Sequence, residues 1–558
     1  MKPTLRMMAV LLLCGSGICA ADKPNVVLIL TDNQSYYELG CHGHPVLKTP
    51  RIDALAAESV DFLNFHAPPY CSPSRGVLMT GRYAMRYGIY TTIQGRSILH
   101  RSEVTIADRL KKAGYRTGIF GKWHLGFSYP YMPRHRGFDE TFVHGGGGIG
   151  QMEDYFGNSH LDATYWRNGV TEPSEGFSTD VLFAEGLKFI EIHRDRPFFC
   201  FISTPATHKP WQAHPEVLKK LKARGVKGSG RDLALYSMVE NIDENVGRVL
   251  DKLDGLKLAE KTIVIFATDQ GMRDRGAPPK ADRGDANPPH IQSDERHRVF
   301  CMVRYPPLTR PHRSTVLTGM VDMVPTLLDL TGVKKPEGLD GRSLRPLLAG
   351  AKRWEDDREL IVQCPRSRTR KKWHNAAVKT QRWRLVDGKN LFDVSGGDPS
   401  RDVAGDHPDV VKRLARSYET FWSSLPDDSD SLSRHVLGPN PTRLNGTDWY
   451  QGASPWNKND FRKKSGNGVW AVEVQKPGRY RFELRHYPRE AKKPHGAAEA
   501  TVKVGEVQAT AEATDPNHVT VDVALKKGTY DLTATFKSAE GGKSRWGALF
   551  VYVSRLGD

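Results

Sequence analysis

The chain has 558 residues, of which 39% are hydrophobic and 26% charged, and its formal charge at pH 7 is +17. This length allows several domains, and no stretch approaches the roughly 20 apolar residues of a membrane-spanning helix, so a membrane span is excluded. The charge indicates either an anionic partner or a solubilising surface, and alone it does not separate nucleic acid from a sulfated or carboxylated polysaccharide.

The N-terminus has the pattern of a secretory signal peptide over residues 1–21. Lys2 and Arg6 precede a short apolar run at 9–13, and the small residues Ala20 and Ala21 follow Cys19. This order of charge, apolar run and small residues predicts export to the periplasm or outside the cell. An exported location favours a polysaccharide over nucleic acid as the anionic partner.

Five cysteines remain after removal of this segment, and an odd number in an exported chain indicates one special thiol. Pairing among the other four stays open. The five are Cys41, Cys71, Cys200, Cys301 and Cys364.

Residues 22–340 have the pattern of an α/β domain. Continuous apolar runs at 25–30 and 262–266 are typical of strands buried on both faces of a parallel sheet. Helical patterns at 50–58, 104–113 and 233–253 alternate with them. We therefore predict a central, mostly parallel sheet flanked by helices.

Each of the two apolar runs leads into an Asp followed by a side-chain amide: Asp32-Asn33 after the first and Asp269-Gln270 after the second. Ligands of such sheets bind at the carboxyl ends of the strands. The four oxygen donors are therefore expected to converge. Without His or thiolate, such a set suits calcium or magnesium.

The rest of the chain divides into three parts. Residues 341–425 contain short apolar runs and a helix near 408–422, which predicts a smaller α+β subdomain. Residues 426–445 are rich in Asp, Ser, Pro and Asn and are predicted to be a linker. Residues 446–558 alternate as antiparallel strands do, which predicts a sandwich-like β module. Without a catalytic motif, this module is expected to position substrate or to pack against the catalytic domain.

The stretch Cys71-Ser-Pro-Ser-Arg75 is predicted to open a short helix. Ser72 can cap it, Pro73 can take the first helical position, and Gly81 can end it. The positive end of the helix dipole and Arg75 would lower the pKa of a thiol at residue 71. Cys71 is then a thiol nucleophile, a structural cysteine, or the precursor of another group.

This stretch, extended by Leu78-Met-Thr-Gly-Arg82, resembles the signature of type I sulfatases, members of the alkaline phosphatase superfamily. In that family a formylglycine-generating enzyme oxidises the cysteine, and the hydrate of the resulting aldehyde is the nucleophile. The resemblance extends over residues 24–425, and it implies that Cys71 is a precursor.

The resemblance also implies roles for the residues around Cys71. One calcium ion would be held by Asp32, Asn33, Asp269, Gln270 and the modified residue 71. Asn33 stands where the family commonly has Asp, and Gln270 where it has Asn or His, so weaker metal binding is expected.

Further roles follow from Gly121-Lys-Trp-His-Leu-Gly126 and Ala206-Thr-His-Lys-Pro210. Arg75 and Lys122 would hold the nucleophile and the sulfate oxygens. His208 would protonate the departing alcohol, and His124 would deprotonate the second hydroxyl of the hydrate to expel sulfate. The family's further substrate-binding lysine has no clear counterpart, and Lys280 and His290 are the nearest candidates.

Three other features each allow two interpretations. The basic tract 366–372 either contacts an anionic chain or is a solvated charge run, and Gly145–Gly148 is either a substrate loop or a flexible linker. Trp449, Trp456 and Trp470 are either a sugar-binding platform or core aromatics.

The sequence thus predicts an exported sulfatase that acts on a sulfated carbohydrate and not on nucleic acid. One alternative is a phosphonate or phosphodiester hydrolase that shares the formylglycine device. The other is a catalytically lapsed protein that binds anionic glycans. The mass of the Cys71 peptide separates an aldehyde from an unmodified thiol.

Overall fold

The computed structural model describes residues 23–272, 294–354, 356–396, 401–464, 466–539 and 545–557. The predicted signal peptide, Lys280 and His290 lie outside these ranges. No helix in the described ranges is both long and apolar enough to cross a membrane.

Helices occur mainly in the first two thirds of the chain. In chain order they are α1 (Pro50–Ala57), α2 (Cys71–Thr80), α3 (Ile106–Lys112), α4 (Ser178–Ile192), α5 (Pro215–Ala223), α6 (Gly230–Gly255), α7 (Asp294–His297), α8 (Met323–Leu330), α9 (Arg345–Leu348) and α10 (Pro408–Ser423).

Strands occur along the whole described chain and change from parallel to antiparallel pairing towards its end. The strands before residue 350 are β1 (Asn25–Thr31), β2 (Val60–Phe62), β3 (Phe65–His66), β4 (Arg116–Lys122), β5 (Glu140–His144), β6 (Thr164–Arg167), β7 (Val170–Pro173), β8 (Phe198–Ser203), β9 (Thr262–Thr268), β10 (Arg298–Val299), β11 (Cys301–Arg304), β12 (His312–Ser314) and β13 (Thr318–Gly319). The next four are β14 (Leu360–Gln363), β15 (Ala376–Lys379), β16 (Trp383–Val386) and β17 (Asn390–Asp393). The last are β18 (His435–Leu437), β19 (Thr442–Asn445), β20 (Gln451–Gly452), β21 (Gly468–Val474), β22 (Gly478–Arg485), β23 (Ala497–Val504), β24 (Val507–Glu512), β25 (Val519–Leu525), β26 (Gly528–Ser538), β27 (Arg545–Gly547) and β28 (Phe550–Gly557).

The large sheet has the order β12-β2-β11-β9-β1-β8-β4-β5-β6-β7, and its five central strands from β9 to β5 run parallel. Alternate residues of β1 face opposite layers. Val26 and Leu28 pack with Leu78 of α2, whereas Val27 and Ile29 pack with the layer that contains α4 and α6. The predicted α/β fold, a central sheet flanked by helices, is confirmed. Asp32 and Asp269 follow β1 and β9 at the carboxyl edge of this sheet.

The C-terminal parts are antiparallel except for the parallel pair of β18 and β21. Strands β14 to β17 form a four-stranded sheet against which α10 packs, as expected for the smaller α+β subdomain. Beyond it, the sheets built on β18-β21-β26-β23-β24 and on β19-β28-β22-β25 enclose a single apolar core. This is the predicted sandwich-like arrangement.

The predicted linker at 426–445 is wrong in its second half. Strand β18 pairs with β21 and strand β19 pairs with β28, so both belong to the sheets of the module. These strands have only three and four residues, which is too short for an alternating pattern to stand out against the polar composition. The C-terminal module therefore begins at about residue 435.

Candidate active site

The carboxyl ends of β1 and β9 place two acidic residues side by side. These strands are parallel neighbours with Thr31 opposite Thr268, so the next residues, Asp32 and Asp269, leave the sheet together. Both side chains are buried, and their carboxylates and the Cys71 sulfur lie within 4.8 Å of one another. The structure thus brings the predicted metal ligands together from positions about 240 residues apart.

The two amide residues complete this group. Asn33 donates its backbone N–H to Asp269 Oδ1 at 3.1 Å, and Gln270 Nε2 donates to Asn33 Oδ1. Gln270 Oε1 is buried and has no hydrogen-bond partner in the described ranges. Burial and, next, the charge of Asp32 raise the pKa of Asp269.

A hard cation would relieve both features, because it satisfies a buried oxygen and offsets two adjacent carboxylates. The donors Asp32, Asn33, Asp269 and Gln270 are all oxygens, which suits calcium or magnesium better than zinc. The residues present therefore fit the metal that the sequence predicted.

Cys71 is the first residue of α2, whose N-cap is Tyr70, so the predicted capping role of Ser72 is wrong. The Cys71 sulfur lies 3.6 Å from Asp32 Oδ1 and 3.7 Å from Asn33 Oδ1. Burial raises the pKa of this thiol above its ordinary value, with Asp32 also raising it, although Lys122 opposes the shift. The expected low thiol pKa is therefore wrong, because the helix dipole does not compensate for burial beside carboxylates.

Two buried cationic side chains, Arg75 and Lys122, form ion pairs with the carboxylates of Asp269 and Asp32. Arg75 Nε donates to Asp269 Oδ2 at 3.0 Å, and Lys122 Nζ lies 2.5 Å from Asp32 Oδ2. Arg75 Nη1 donates to the Lys122 carbonyl at 2.9 Å and to Ser203 Oγ at 2.7 Å. Arg75 Nη2 is buried and has no hydrogen-bond partner within the part of the chain described. A guanidinium fixed in this way keeps one N–H pair for an anion.

Both predicted histidines lie in the same site. His124, which follows β4 with φ 58°, places Nε2 3.1 Å from the Thr92 carbonyl oxygen, so Nε2 is the donor. Its other nitrogen, Nδ1, is buried and unpartnered among the described residues. His208 Nδ1 lies 2.6 Å from the Lys209 carbonyl oxygen and is also the donor, so the lone pair of the neutral ring is on Nε2.

The pKa values of both rings are low. Burial and, next, Lys122 lower the pKa of His124 well below its ordinary value and that of His208 to about 3. Both rings are therefore neutral near pH 7 when no anion is bound.

The glycine run 145–148 forms the wall against these rings. All four glycines are buried, so the flexible-linker interpretation is wrong. An ideal Cβ at Gly147 would lie 2.8 Å from His124 Cε1, and one at Gly148 would lie 2.7 Å from His208 Nδ1. Asp154 holds this run by accepting the backbone N–H groups of Gly145 and Gly150 at 3.3 and 2.8 Å. Side chains larger than glycine would displace the rings.

The cavity lined by Cys71, His124 and His208, here called the catalytic cavity, has a volume of about 250 Å³. Some of its other lining residues were not predicted from the sequence as part of the site. Arg366, from the basic tract, lines it and places its guanidinium 4.5 Å from the Tyr70 ring. Trp211 and Trp456 also line it. The composition of residues 366–372 was a signal for Arg366, whereas nothing local pointed to Tyr70 or Trp211.

Of the three tryptophans considered as a sugar-binding platform, Trp456 alone lines this cavity. Trp449 and Trp470 are buried in the module core, as the second interpretation predicted, and Trp456 is 45% exposed. The core interpretation is therefore confirmed for Trp449 and Trp470, and the platform interpretation stays a prediction for Trp456.

Comparison with known proteins identifies the family. The sequence profile described as Sulfatase matches residues 24–333, which is more than half of the chain. The chain belongs to the sulfatase family. A second profile, described as N-sulphoglucosamine sulphohydrolase, C-terminal, matches residues 290–395 of this sulfatase.

Individual relatives agree with this assignment. The human N-acetylgalactosamine-6-sulfatase is 31% identical over 364 residues, which span 60% of this sulfatase and 67% of that protein. The ulvan-active sulfatase of Formosa agariphila is 29% identical over 410 residues, 68% of this chain and 76% of its own. The solved structure of Ps i-CgsB in complex with k-i-k-neocarrahexaose superposes with a TM-score of 0.64 at 26% identity and covers 74% of this chain and 95% of its own. This sulfatase is accordingly a sulfuric ester hydrolase with the fold of the alkaline phosphatase superfamily.

Proposed function

We propose that this sulfatase hydrolyses sulfate esters of a carbohydrate and that its nucleophile is formylglycine made from Cys71. The observation that carries the proposal is the setting of Cys71: a buried thiol beside two carboxylates, whose pKa burial raises. A thiol attacks as the thiolate, so this cysteine is a poor nucleophile in its unmodified form. Formylglycine at this position would supply, as its hydrate, an oxygen nucleophile.

The metal proposed here is a single calcium ion, with Asp32, Asn33, Asp269, Gln270 and the modified residue 71 as its ligands. It would supply positive charge next to the nucleophile and the sulfate oxygens. The oxygen-only donors and the unpartnered Gln270 Oε1 support this assignment.

Arg75 and Lys122 would bind the sulfate group. Arg75 has Nη2 available, and the contact with Asp32 uses one of the three Lys122 donors. Both side chains are held by buried carboxylates, so little reorganisation is needed when the anion arrives. Cations placed in this way stabilise charge that develops on the sulfate oxygens.

His208 would donate the proton that the departing sugar hydroxyl needs. Its Nε2 is the nitrogen that can be protonated while Nδ1 holds the Lys209 carbonyl. The pKa of about 3 is that of the site without an anion, where burial and, next, the charge of Lys122 disfavour the imidazolium. A bound sulfate ester offsets that charge and raises the pKa of His208.

His124 would act as the base that completes the cycle. With Nε2 donating to the Thr92 carbonyl, the neutral ring carries its lone pair on Nδ1. The pKa of this ring is well below its ordinary value, which keeps the lone pair available. His124 Nδ1 would accept the proton whose removal expels sulfate.

Several observations support a sulfated carbohydrate as the substrate. The formal charge is +17, and Arg366 and Lys209 line the catalytic cavity. Relatives include an ulvan-active sulfatase and a structure bound to a neocarrahexaose. We further propose that residues 1–21 direct export, and that a formylglycine-generating enzyme modifies Cys71 during maturation.

Mass spectrometry of the Cys71 peptide, combined with sulfate release from sulfated saccharides, tests the proposal. We expect the mass of the aldehyde or its hydrate in active preparations. An active preparation with unmodified Cys71 would refute formylglycine as the nucleophile. Faster turnover of phosphate diesters or phosphonates than of sulfate esters would favour a phosphonate or phosphodiester hydrolase. Glycan binding without turnover of any ester would indicate a catalytically lapsed protein.

A further inference from the structure

A second cavity lies beside the catalytic one, where the catalytic domain meets the C-terminal module. Its volume is about 540 Å³, compared with about 250 Å³ for the catalytic cavity. Gln151, Lys209, Trp211 and Trp456 line both, so the two cavities adjoin at these residues. The larger one falls within the ~300–1,000 Å³ range of small-molecule sites.

The far wall of the second cavity is apolar and well supported. Phe156 and Phe461 contribute to it, with their ring centroids 5.5 Å apart in an edge-to-face arrangement. Phe461 in turn stacks on Tyr487 at 5.5 Å and on Phe550 at 5.9 Å inside the module. The wall is therefore shared by both domains and is preorganised.

Trp456 stands at the boundary with an accessible ring. Its backbone is fixed: its N–H donates to Asp460 Oδ2 at 2.8 Å, and its carbonyl accepts from Met152 N–H at 3.3 Å. The side chain is 45% exposed and has no aromatic or cation partner among the residues described. A large apolar surface held open at the mouth of a polar site is typical of ligand recognition.

The Trp211 ring differs from that of Trp456 because cationic side chains cover it. Its ring is covered by Lys209, with Nζ 5.3 Å from the ring centroid, and by Arg231, whose guanidinium lies 4.3 Å away. These cations bring positive charge to the boundary between the cavities. Of the two tryptophans, Trp456 is the one whose ring is not covered by a cation of the described residues.

We propose that the second cavity binds the sugar unit next to the sulfated one, with Trp456 as its stacking platform. The inference rests on the proposed function and adds that the substrate is an oligosaccharide or polysaccharide. A pyranose ring has an apolar face of C–H groups that packs on an indole, and its hydroxyls can reach Gln151 and Asn457. A sulfate or carboxylate on the chain would meet Lys209 at the boundary.

The test compares substrates of increasing length. The probes are 4-nitrophenyl sulfate, a sulfated monosaccharide and a tetrasaccharide that carries the same sulfated unit. The variants are Trp456→Ala, Trp456→Phe and the control Leu556→Ala, an exposed module residue that lines neither cavity. For Trp456→Ala we expect kcat/KM on the tetrasaccharide to fall about tenfold or more, as for an aromatic hot spot. Because Trp456 also lines the catalytic cavity, the loss of activity on 4-nitrophenyl sulfate should be severalfold smaller than the loss on the tetrasaccharide. Trp456→Phe should recover part of the loss on the tetrasaccharide, and Leu556→Ala should match wild type.

A binding measurement separates this inference from the proposed function. In the Cys71→Ala background, calorimetry should show that Trp456→Ala weakens binding of the tetrasaccharide, and that its effect on binding of the monosaccharide is severalfold smaller. The proposed subsite would be overturned if Trp456→Ala lowered kcat/KM equally on all three substrates, or if it did not lower kcat/KM on the tetrasaccharide. Absence of sulfate release by the wild type would refute the proposed function, and the calorimetric comparison would still decide the subsite.

Discussion

Gly148→Ala probes how the glycine run positions His208. An ideal Cβ at residue 148 would lie 2.7 Å from His208 Nδ1 and 2.8 Å from its Cε1. This is about 0.8 Å closer than the ~3.5 Å of ordinary carbon contacts. The φ of Gly148 is not in the left-handed region, so the effect is steric and not backbone strain. We expect the ring to move and its hydrogen bond to the Lys209 carbonyl to weaken.

The size of the effect depends on the leaving group. Misplacing a reacting group by about 1 Å costs on the order of 10²-fold, and a general acid contributes about 10²–10⁴-fold. We therefore expect kcat on a sugar sulfate, whose alkoxide needs a proton, to fall about 100-fold. The 4-nitrophenolate group leaves as a stable anion, so kcat on 4-nitrophenyl sulfate should fall only a few-fold.

The assay measures kcat for both substrates in Gly148→Ala and in Gly405→Ala, where an added Cβ meets nothing within 4 Å. Thermal unfolding confirms that both variants fold. Unchanged turnover of the sugar sulfate by Gly148→Ala would refute the steric argument. Equal losses on both substrates would refute the assignment of His208 as the general acid.

Three further outcomes are expected. Cys71→Ala should abolish sulfate release while circular dichroism stays that of the wild type, and residual turnover would contradict the modified Cys71 as the nucleophile. Chelation should inactivate the enzyme, and added calcium should restore its activity. Asn33→Asp should tighten calcium binding in calorimetry because it adds a third carboxylate. Native protein that carries zinc would refute the oxygen-only site. Burial raises the pKa of Asp243, which accepts the N–H groups of Arg51 and Ile52, to about 7. The folded state therefore holds an extra proton above the unfolded pKa near 4, so the free energy of unfolding should fall as pH rises from about 4 to 7. Asp243→Asn should flatten that slope in urea titrations at pH 5 and 7.5, and parallel curves for the two proteins would count against the raised pKa.

Much of the site could be predicted from sequence because its residues follow strongly patterned elements. Asp32 and Asp269 come directly after two apolar runs, and parallel strands bring their carboxyl ends to one edge. Arg75 lies one helical turn after Cys71, so their proximity is local. The pattern that defined the fold thus also placed these side chains.

The errors arise where distant residues set the environment. The thiol of Cys71 lies at a helix N-terminus, which alone would lower its pKa, yet burial beside Asp32 and Asp269 raises it. Arg366 reaches the catalytic cavity from a basic tract about 295 residues after Cys71 in the chain. Such proximity depends on packing between domains, and a local charge run cannot distinguish it from a solvated surface.

The C-terminal module has a closer relation to catalysis than a tethered accessory domain would. Met152 of the catalytic domain is buried in the module core, and Asn445 Nδ2 donates to Glu153 Oε1 at 3.2 Å. The same segment begins with Gly147 and Gly148, where an added Cβ would collide with His124 and His208. A short stretch of chain therefore links the module core to both histidines. Removing the module would expose Met152 and unpair Glu153. We therefore expect the module to maintain the shape of the catalytic wall, in addition to its proposed role in glycan binding.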